Sequence, residues 1–288
     1  MFTGTKEIKK KVDHPFLSSS KPLLSVIIPA YCAERTLDRA IASVYLQNFK
    51  NRKIEVLVVI DDNSINYSKI MCRWPSVKWI KPPQCAPTGA GPSRNRGIEL
   101  AKGAYICFLD ADDEWAPNFL NSLMGLANKW GAGVGITQVI DQLGAEVLTL
   151  NPGRWLTLND FGLLAGSFFP LIRKDIFVEF GNEPAQDVFF VMQIVGNNGG
   201  RIPVSKKAIY KLNLSINSET RKKQFAAKIE SSYRRWQRWF HSGECRWITQ
   251  NKIAAARAVG RRIALNRGFN NLKECSIFYK FLKENGRL

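Results

Sequence analysis

The hydrophobic pattern of the chain changes period several times within its first 110 residues. Residues 24–28 and 54–60 are near-continuous apolar runs rich in Val and Ile, as expected of strands buried on both faces. Between them Leu37, Ile41, Val44 and Tyr45 recur at helical spacing and predict a helix over 36–46. A short strand is predicted at 77–80, a helix at 92–102 and a fourth strand at 104–109. This alternation predicts an α/β fold with a Rossmann-like, mostly parallel central sheet and right-handed crossovers. Beyond Trp115 a helix is predicted at 117–129 and a strand at 134–140, then a mixed region to 218. From 219 the chain reads as helices rich in cations and aromatics, among them Tyr233, Trp236, Trp239, Phe240 and Trp247. Three regions are therefore expected: a polar lead-in over 1–21, an α/β domain over 22–218 and a basic α-helical C-terminal extension over 219–288.

Charge sharpens that division. Residues 221–288 hold 17 Lys or Arg against 4 Asp or Glu, whereas the rest of the chain holds 25 against 20. The net charge of +18 is thus concentrated at the C-terminal end. Such a segment seeks polyanions, and its interleaved aromatics suit the surface of an anionic membrane. The alternative is that the aromatics pack on the α/β domain and leave the cations solvated. Nucleic acid is disfavoured because no binding motif accompanies the charge. Six scattered cysteines without CxxC spacing read as free thiols of a reducing compartment, and His14 and His241 provide no zinc spacing. The first residues lack the apolar core of a signal peptide, and no apolar run approaches the length of a spanning helix. A cytoplasmic protein, peripheral on the cytoplasmic face of the inner membrane, is the expectation.

In parallel α/β sheets ligands bind beyond the carboxyl ends of the strands. Two acidic pairs fall there: Asp61 with Asp62, and Asp110 with Asp112. Carboxylates at i and i+2 past a strand end can converge on a hard cation, Mn2+ or Mg2+, and leave coordination positions open for phosphate oxygens. Thr88-Gly89-Ala90-Gly91-Pro92-Ser93-Arg94 begins like a dinucleotide fingerprint. Arg94 stands where the third glycine is needed, so a dehydrogenase is disfavoured.

Four ordered segments resemble the family 2 glycosyltransferases, which are inverting enzymes of GT-A fold. They are Leu24-Ser25-Val26-Ile27-Ile28-Pro29-Ala30-Tyr31, the run 56–64 ending Asp61-Asp62-Asn63-Ser64, Gly91-Pro92-Ser93-Arg94-Asn95-Arg96-Gly97, and Phe108-Leu109-Asp110-Ala111-Asp112-Asp113. The resemblance is clear over 22–130 and implies a role for each matching position. Pro29 and Tyr31 would line the pocket of the nucleobase, and Glu34 would reach the nucleoside. Asp62 would accept the ring N–H of the base, which suits uracil, thymine or guanine. Arg94 would face the base or the diphosphate. Asp110 would contact the ribose or a metal-bound water, and Asp112 the metal itself. Members of the family place the catalytic base in a Glu-Asp pair at a helix start, which implies Asp187 here, with Gln186 replacing the Glu. A Tyr-Arg-x-His pattern near the domain end reads Tyr210-Lys211-Leu212-Asn213 in this chain, so Lys211 would keep a charge for phosphate. Asn213 would be a poor metal ligand.

The implied activity is inverting transfer from a nucleoside-diphosphate sugar, a UDP-sugar favoured, to a hydroxyl of a glycan or lipid-linked acceptor in bacterial surface polysaccharide or lipopolysaccharide synthesis. A non-catalytic nucleotide-sugar-binding protein of the same fold is the alternative. A sugar-nucleotide pyrophosphorylase is a third reading, and residues 29–35 lack its glycine-rich basic loop.

Overall fold

The computed structural model describes residues 23–49, 54–62, 66–82, 87–164, 168–215, 223–270 and 278–285, without the side chains of 223–227, 270 and 285. The lead-in over 1–21, Asn63, Ser64, Cys85 and Cys275 lie outside the described residues. Strands β1 (Leu24–Ala30), β2 (Ile54–Ile60), β3 (Lys78–Ile80) and β4 (Tyr105–Phe108) are mutually parallel in the order β3-β2-β1-β4. Their apolar side chains are almost wholly buried because helices α1 (Leu37–Tyr45), α2 (Ser68–Arg73) and α3 (Ala90–Leu100) connect them as crossovers. Helix α3 lies directly on the sheet: a Cβ at Gly97 would stand 2.5 Å from Ile27 Cγ2. All three crossovers leave the carboxyl ends of β1, β2 and β4 on one edge.

Past β4 the sheet becomes mixed. The next elements are β5 (Glu114–Trp115), α4 (Phe119–Trp130), β6 (Ala132–Ile140), β7 (Glu146–Leu150), β8 (Trp155–Thr157), β9 (Leu171–Arg173), α5 (Gln186–Asn197) and β10 (Arg201–Asn213). The sheet continues β4-β9-β6-β10-β5, and the three-residue β9 runs antiparallel to both of its neighbours. Strand β10 is parallel to β6 and antiparallel to β5. This last pairing brings the segment after Leu109 against the end of β10, and so completes one wall of the cleft.

Helices α6 (Lys223–His241), α7 (Thr249–Asn270) and α8 (Phe278–Asn285) follow. Tyr233, Trp236 and Phe240 recur at helical spacing on α6 and are at most 2% exposed. Trp236 stacks on Phe189 of α5, with centroids 4.9 Å apart and planes at 12°. Trp247 closes on the other end of α5, where a Cβ at Gly196 would stand 2.1 Å from its indole. The same hydrophobic cluster runs from Leu24 to Leu282. The aromatic side of α6, expected to face a membrane, is therefore turned inward, and Arg234, Arg235 and Arg238 occupy its exposed side. A packed aromatic face gains both its buried area and ring-stacking energy, more than an interfacial position offers. Trp236→Ala should accordingly lower the unfolding free energy by about 3–5 kcal/mol, read as a shift in the denaturation midpoint. Among the described residues no helix is long and apolar enough to cross a membrane.

Candidate active site

The cleft forms where three chain segments leave the sheet edge. After β1, Tyr31 stands 59% exposed at the mouth, Pro29 and Glu34 are half-buried, and Cys32 adopts a left-handed backbone with φ of 48°. That conformation costs energy in a non-glycine residue and needs local support. Asp62, just past β2, supplies it: its carboxylate accepts the Cys32 N–H at 2.6 Å and the Tyr67 hydroxyl at 3.0 Å, while the Tyr67 oxygen accepts the Ala33 N–H at 3.0 Å. The expected base-binding carboxylate thus has a structural duty, shaping the loop that presents Tyr31. Burial and the charges of Asp62 and Glu34 push the Tyr67 hydroxyl up, so it stays a proton donor.

Asp61 works in the opposite direction across β2. It accepts the Thr88 N–H and hydroxyl and the Gly89 N–H, and pairs with Arg96 at 3.3 Å. Burial alone would raise its carboxyl, but these donors together hold it below the ordinary value. The turn at Thr88 and Gly89 starts α3, and a Cβ at Gly91 would stand 2.0 Å from the Gly181 carbonyl. Glycine there lets α3 meet the segment that leads into α5.

Arg94 is not a surface residue. It is 2% exposed, lies over the rings of Phe169 (4.8 Å) and Phe180 (5.2 Å), and pairs with Asp110. Its Nε and Nη1 are buried and make no hydrogen bond among the described residues. A buried guanidinium with two N–H groups that no described residue accepts keeps capacity for a further acceptor.

The segment Asp110 to Asp113 is clasped to β10. Tyr210 accepts the Asp110 N–H at 3.2 Å and donates its hydroxyl to Asp113 at 2.8 Å, and the Asn213 N–H donates to the same carboxylate at 2.8 Å. Arg39 of α1 donates to the Asp112 carbonyl and pairs with Glu114 at 3.6 Å. Lys211, expected to face phosphate, reaches Glu114 at 3.3 Å, so its charge is already partnered. The Asn213 side chain donates to the Asp112 carbonyl at 3.2 Å.

Asp187 sits in the first turn of α5, after Ala185 in a left-handed conformation with φ of 62°. Its charge acts on Asp110 across the cleft. Burial first and the Asp187 charge next raise the Asp110 carboxyl, with Arg94 opposing. Asp112 reaches solvent, yet desolvation of its carboxyl and then the Asp110 charge push it up to about 6. Asp113 is raised well above the ordinary range by burial and by both neighbours. Carboxylates that oppose one another's ionisation in this way gain from a nearby cation, which favours their ionised forms. That chemistry fits a hard divalent cation on Asp112, with Asp110 beside it. Among the described residues no three His, Cys, Asp or Glu side chains come together as a metal-holding group.

Four residues of the site were given no role from the sequence: Arg39, Tyr67, Asp113 and Tyr210 (the last two named there only within their motifs). Apart from Asp62 beside Tyr67, the partners named for them lie 34 to 100 residues away along the chain, so the fold brings them into the site. A further group comes from the C-terminal helices. The buried Tyr279 hydroxyl is raised by burial, opposed by Arg262, and raised again by the charges of Asp113 and Asp187. Arg262, itself 6% exposed, donates to Tyr233 at 3.4 Å. Helix α6 packs directly on α5, the helix that carries Asp187.

Known proteins carry the same arrangement of elements. The profile described as Glycosyl transferase family 2 matches residues 25–170. The amylovoran biosynthesis glycosyltransferase AmsB of Erwinia amylovora is 34% identical over 111 residues, 36% of either chain. The GalNAc(5)-diNAcBac-PP-undecaprenol beta-1,3-glucosyltransferase of Campylobacter jejuni is 33% identical over 167 residues, 54% of this chain and 53% of the relative. The chain thus spans between about a third and a half of the length of these relatives. S. aureus TarS 1-349 in complex with UDP-GlcNAc superposes with a TM-score of 0.65 at 17% identity, covering 85% of this chain and 74% of TarS. The mannosyltransferase PcManGT of Pyrobaculum calidifontis, in complex with GDP-Man and Mn2+, superposes at 0.58 and 15% identity, covering 92% and 79%. At those identities the two structures establish a shared GT-A fold. With its profile match over more than half of the sequence, the chain belongs to glycosyl transferase family 2.

Proposed function

We propose that the chain transfers a sugar, with inversion, from a nucleoside-diphosphate sugar to a hydroxyl of a lipid-linked glycan, and that the donor is a UDP-sugar. The observation that carries this reading is the meeting of Asp112, Asp110, the half-satisfied Arg94 and Asp187 in one cleft at the strand ends. The names of relatives that act on undecaprenol-linked sugars from UDP-Glc support the acceptor class and the donor. The cationic surface of 221–288 would face the anionic membrane that holds such an acceptor.

Pro29, Tyr31 and Glu34 would bind the nucleoside, with the exposed Tyr31 ring against the base. Arg94 would direct Nε and Nη1 to diphosphate oxygens, and Arg39 with Lys211, held through Glu114, would add positive potential beside Asp112. Asp110 and Asp112 would hold the Mn2+ or Mg2+ ion, whose chemistry is Lewis-acid neutralisation of the diphosphate leaving group. Asp187 would act as general base. The acceptor oxygen attacks C1, its proton passes to the Asp187 carboxylate, and the C1–O bond to the diphosphate breaks with its electron pair leaving on the phosphate oxygen. Positive charge develops at C1 in that transition state, and the surrounding carboxylates stabilise it.

UDP release measured with a panel of UDP-hexoses tests the reading. Release with at least one donor, abolished by a chelator, is expected; none from any nucleotide sugar would contradict it. The Asp112 carboxyl also dictates a pH dependence. Its pKa is raised by folding, so the folded apo-protein binds this proton more tightly than the unfolded chain does. The contribution favours folding at low pH and is lost as pH rises through about 6. A cation needs the ionised form and reverses that loss. The thermal stabilisation produced by Mn2+ should therefore be small below pH ~5 and grow through pH ~6, as read by melting scans across pH.

A further inference from the structure

The geometry points to a phosphate-headgroup site in the groove between α6 and α7, by which the protein rests on an anionic lipid surface. The groove has a volume of about 590 Å3 and is lined by Arg234, Gln237, Arg238, His241, Ser242 and Ala256. It lies on the exposed side of α6, away from Tyr233, Trp236 and Phe240, which are spent on the core. Its floor is fixed: Gln237 donates across the groove to the Ala256 carbonyl at 3.3 Å, and the Ser242 hydroxyl donates to the Trp239 carbonyl at 2.8 Å. The small residues Ala256 and Gly260 keep it open on the α7 side, where a Cβ at Gly260 would meet only the Gln237 amide, at 3.8 Å.

The charges around the groove are not balanced. Glu230 takes up both Arg234 and Arg267. Arg238 and His241 form no ion pair among the described residues, and Glu244 is the acid nearest to them in sequence. Two donors of this kind over an open, small-residue floor suit a phosphate monoanion.

Aliphatic residues beside the groove identify the source of that phosphate. Ile248, just before α7, is 62% exposed and Ile253, in the first turns of α7, 42%; Arg246, Lys252 and Arg257 are close to them in sequence. Ile253 precedes Ala256 by three positions, so it shares that side of the helix. Exposed isoleucines flanked by cations match the boundary between headgroups and acyl chains. Binding to single-stranded nucleic acid would instead call for exposed aromatic platforms. Trp236, Trp239 and Phe240 of α6 pack instead on Phe189 of α5. The inference rests on the lipid-linked acceptor only in that such an acceptor places the enzyme at a membrane.

Flotation of the full chain with vesicles tests it, using phosphatidylcholine alone and an equal mixture with phosphatidylglycerol. The wild type is expected to float with the mixed vesicles and much less with the neutral ones. Arg238→Glu combined with His241→Glu should reduce the bound fraction about tenfold or more, and Ile248→Ser with Ile253→Ser several-fold. Both variants should keep the nucleotide-induced melting shift, since neither touches the cleft. Flotation of both variants like the wild type, or no flotation of the wild type, would overturn the assignment. So would release from vesicles by millimolar inorganic phosphate, which indicates a soluble-phosphate site, or retention by single-stranded RNA in place of vesicles. Flotation that persists in a protein with no nucleotide-induced shift would instead leave the groove standing and remove the sugar-transfer reading.

Discussion

Asp187→Asn is expected to lower sugar transfer by about 10²–10⁴-fold while leaving nucleotide binding unchanged. The asparagine keeps the shape at the start of α5 but cannot take a proton from the acceptor hydroxyl. Its charge is also removed from Asp110, so the Asp110–Arg94 pair should persist or tighten. A purely helix-stabilising role for Asp187 would produce a different pattern: a lower melting temperature with transfer nearly intact. The ratio of single-turnover rates at saturating donor separates the two, and equal rates for variant and wild type would remove Asp187 from the chemistry.

Asp112→Ala should have an effect of similar size by another route. Metal-assisted neutralisation of a leaving group contributes several kcal/mol, so loss of about 4 kcal/mol corresponds to ~10³ in rate. The variant should also lose the cation-dependent part of nucleotide binding, which Asp187→Asn keeps. Because the apo-protein holds three mutually opposed carboxylates at 110, 112 and 113, removing one relieves repulsion. The alanine variant should therefore melt no lower, and at neutral pH somewhat higher, than the apo wild type. A variant that transfers at wild-type rate in the presence of chelator would contradict metal assistance.

Much of the catalytic half was legible in the sequence because its strands are buried on both faces. The run that became β2 is almost unbroken Val, Leu and Ile, and β1 carries Val26-Ile27-Ile28 at its centre, a pattern that suits strands buried on both faces. Asp110 and Asp112 were legible for the same reason, since they directly follow a strand of that kind. Strand β9 was not: three residues between loops carry no period, and its direction is set by pairing with β4 and β6. The aromatic stripe of α6 was ambiguous for a deeper reason. A face that packs on Phe189 and a face that meets a bilayer have the same spacing and composition, and burial alone separates them. Arg94 posed the same problem in reverse, because the apolar environment that surrounds it comes from Phe169 and Phe180, far along the chain.

The most direct test of the donor site is titration of UDP, GDP, dTDP and CMP into the wild-type protein by calorimetry, each with and without Mn2+. The proposed donor site predicts binding of a diphosphate, UDP foremost, that strengthens with Mn2+ and weakens in Arg94→Met, where the guanidinium is lost. Equal affinity for all four nucleotides with and without the metal, or no binding of any, would contradict the assignment of this cleft as a nucleotide-sugar site.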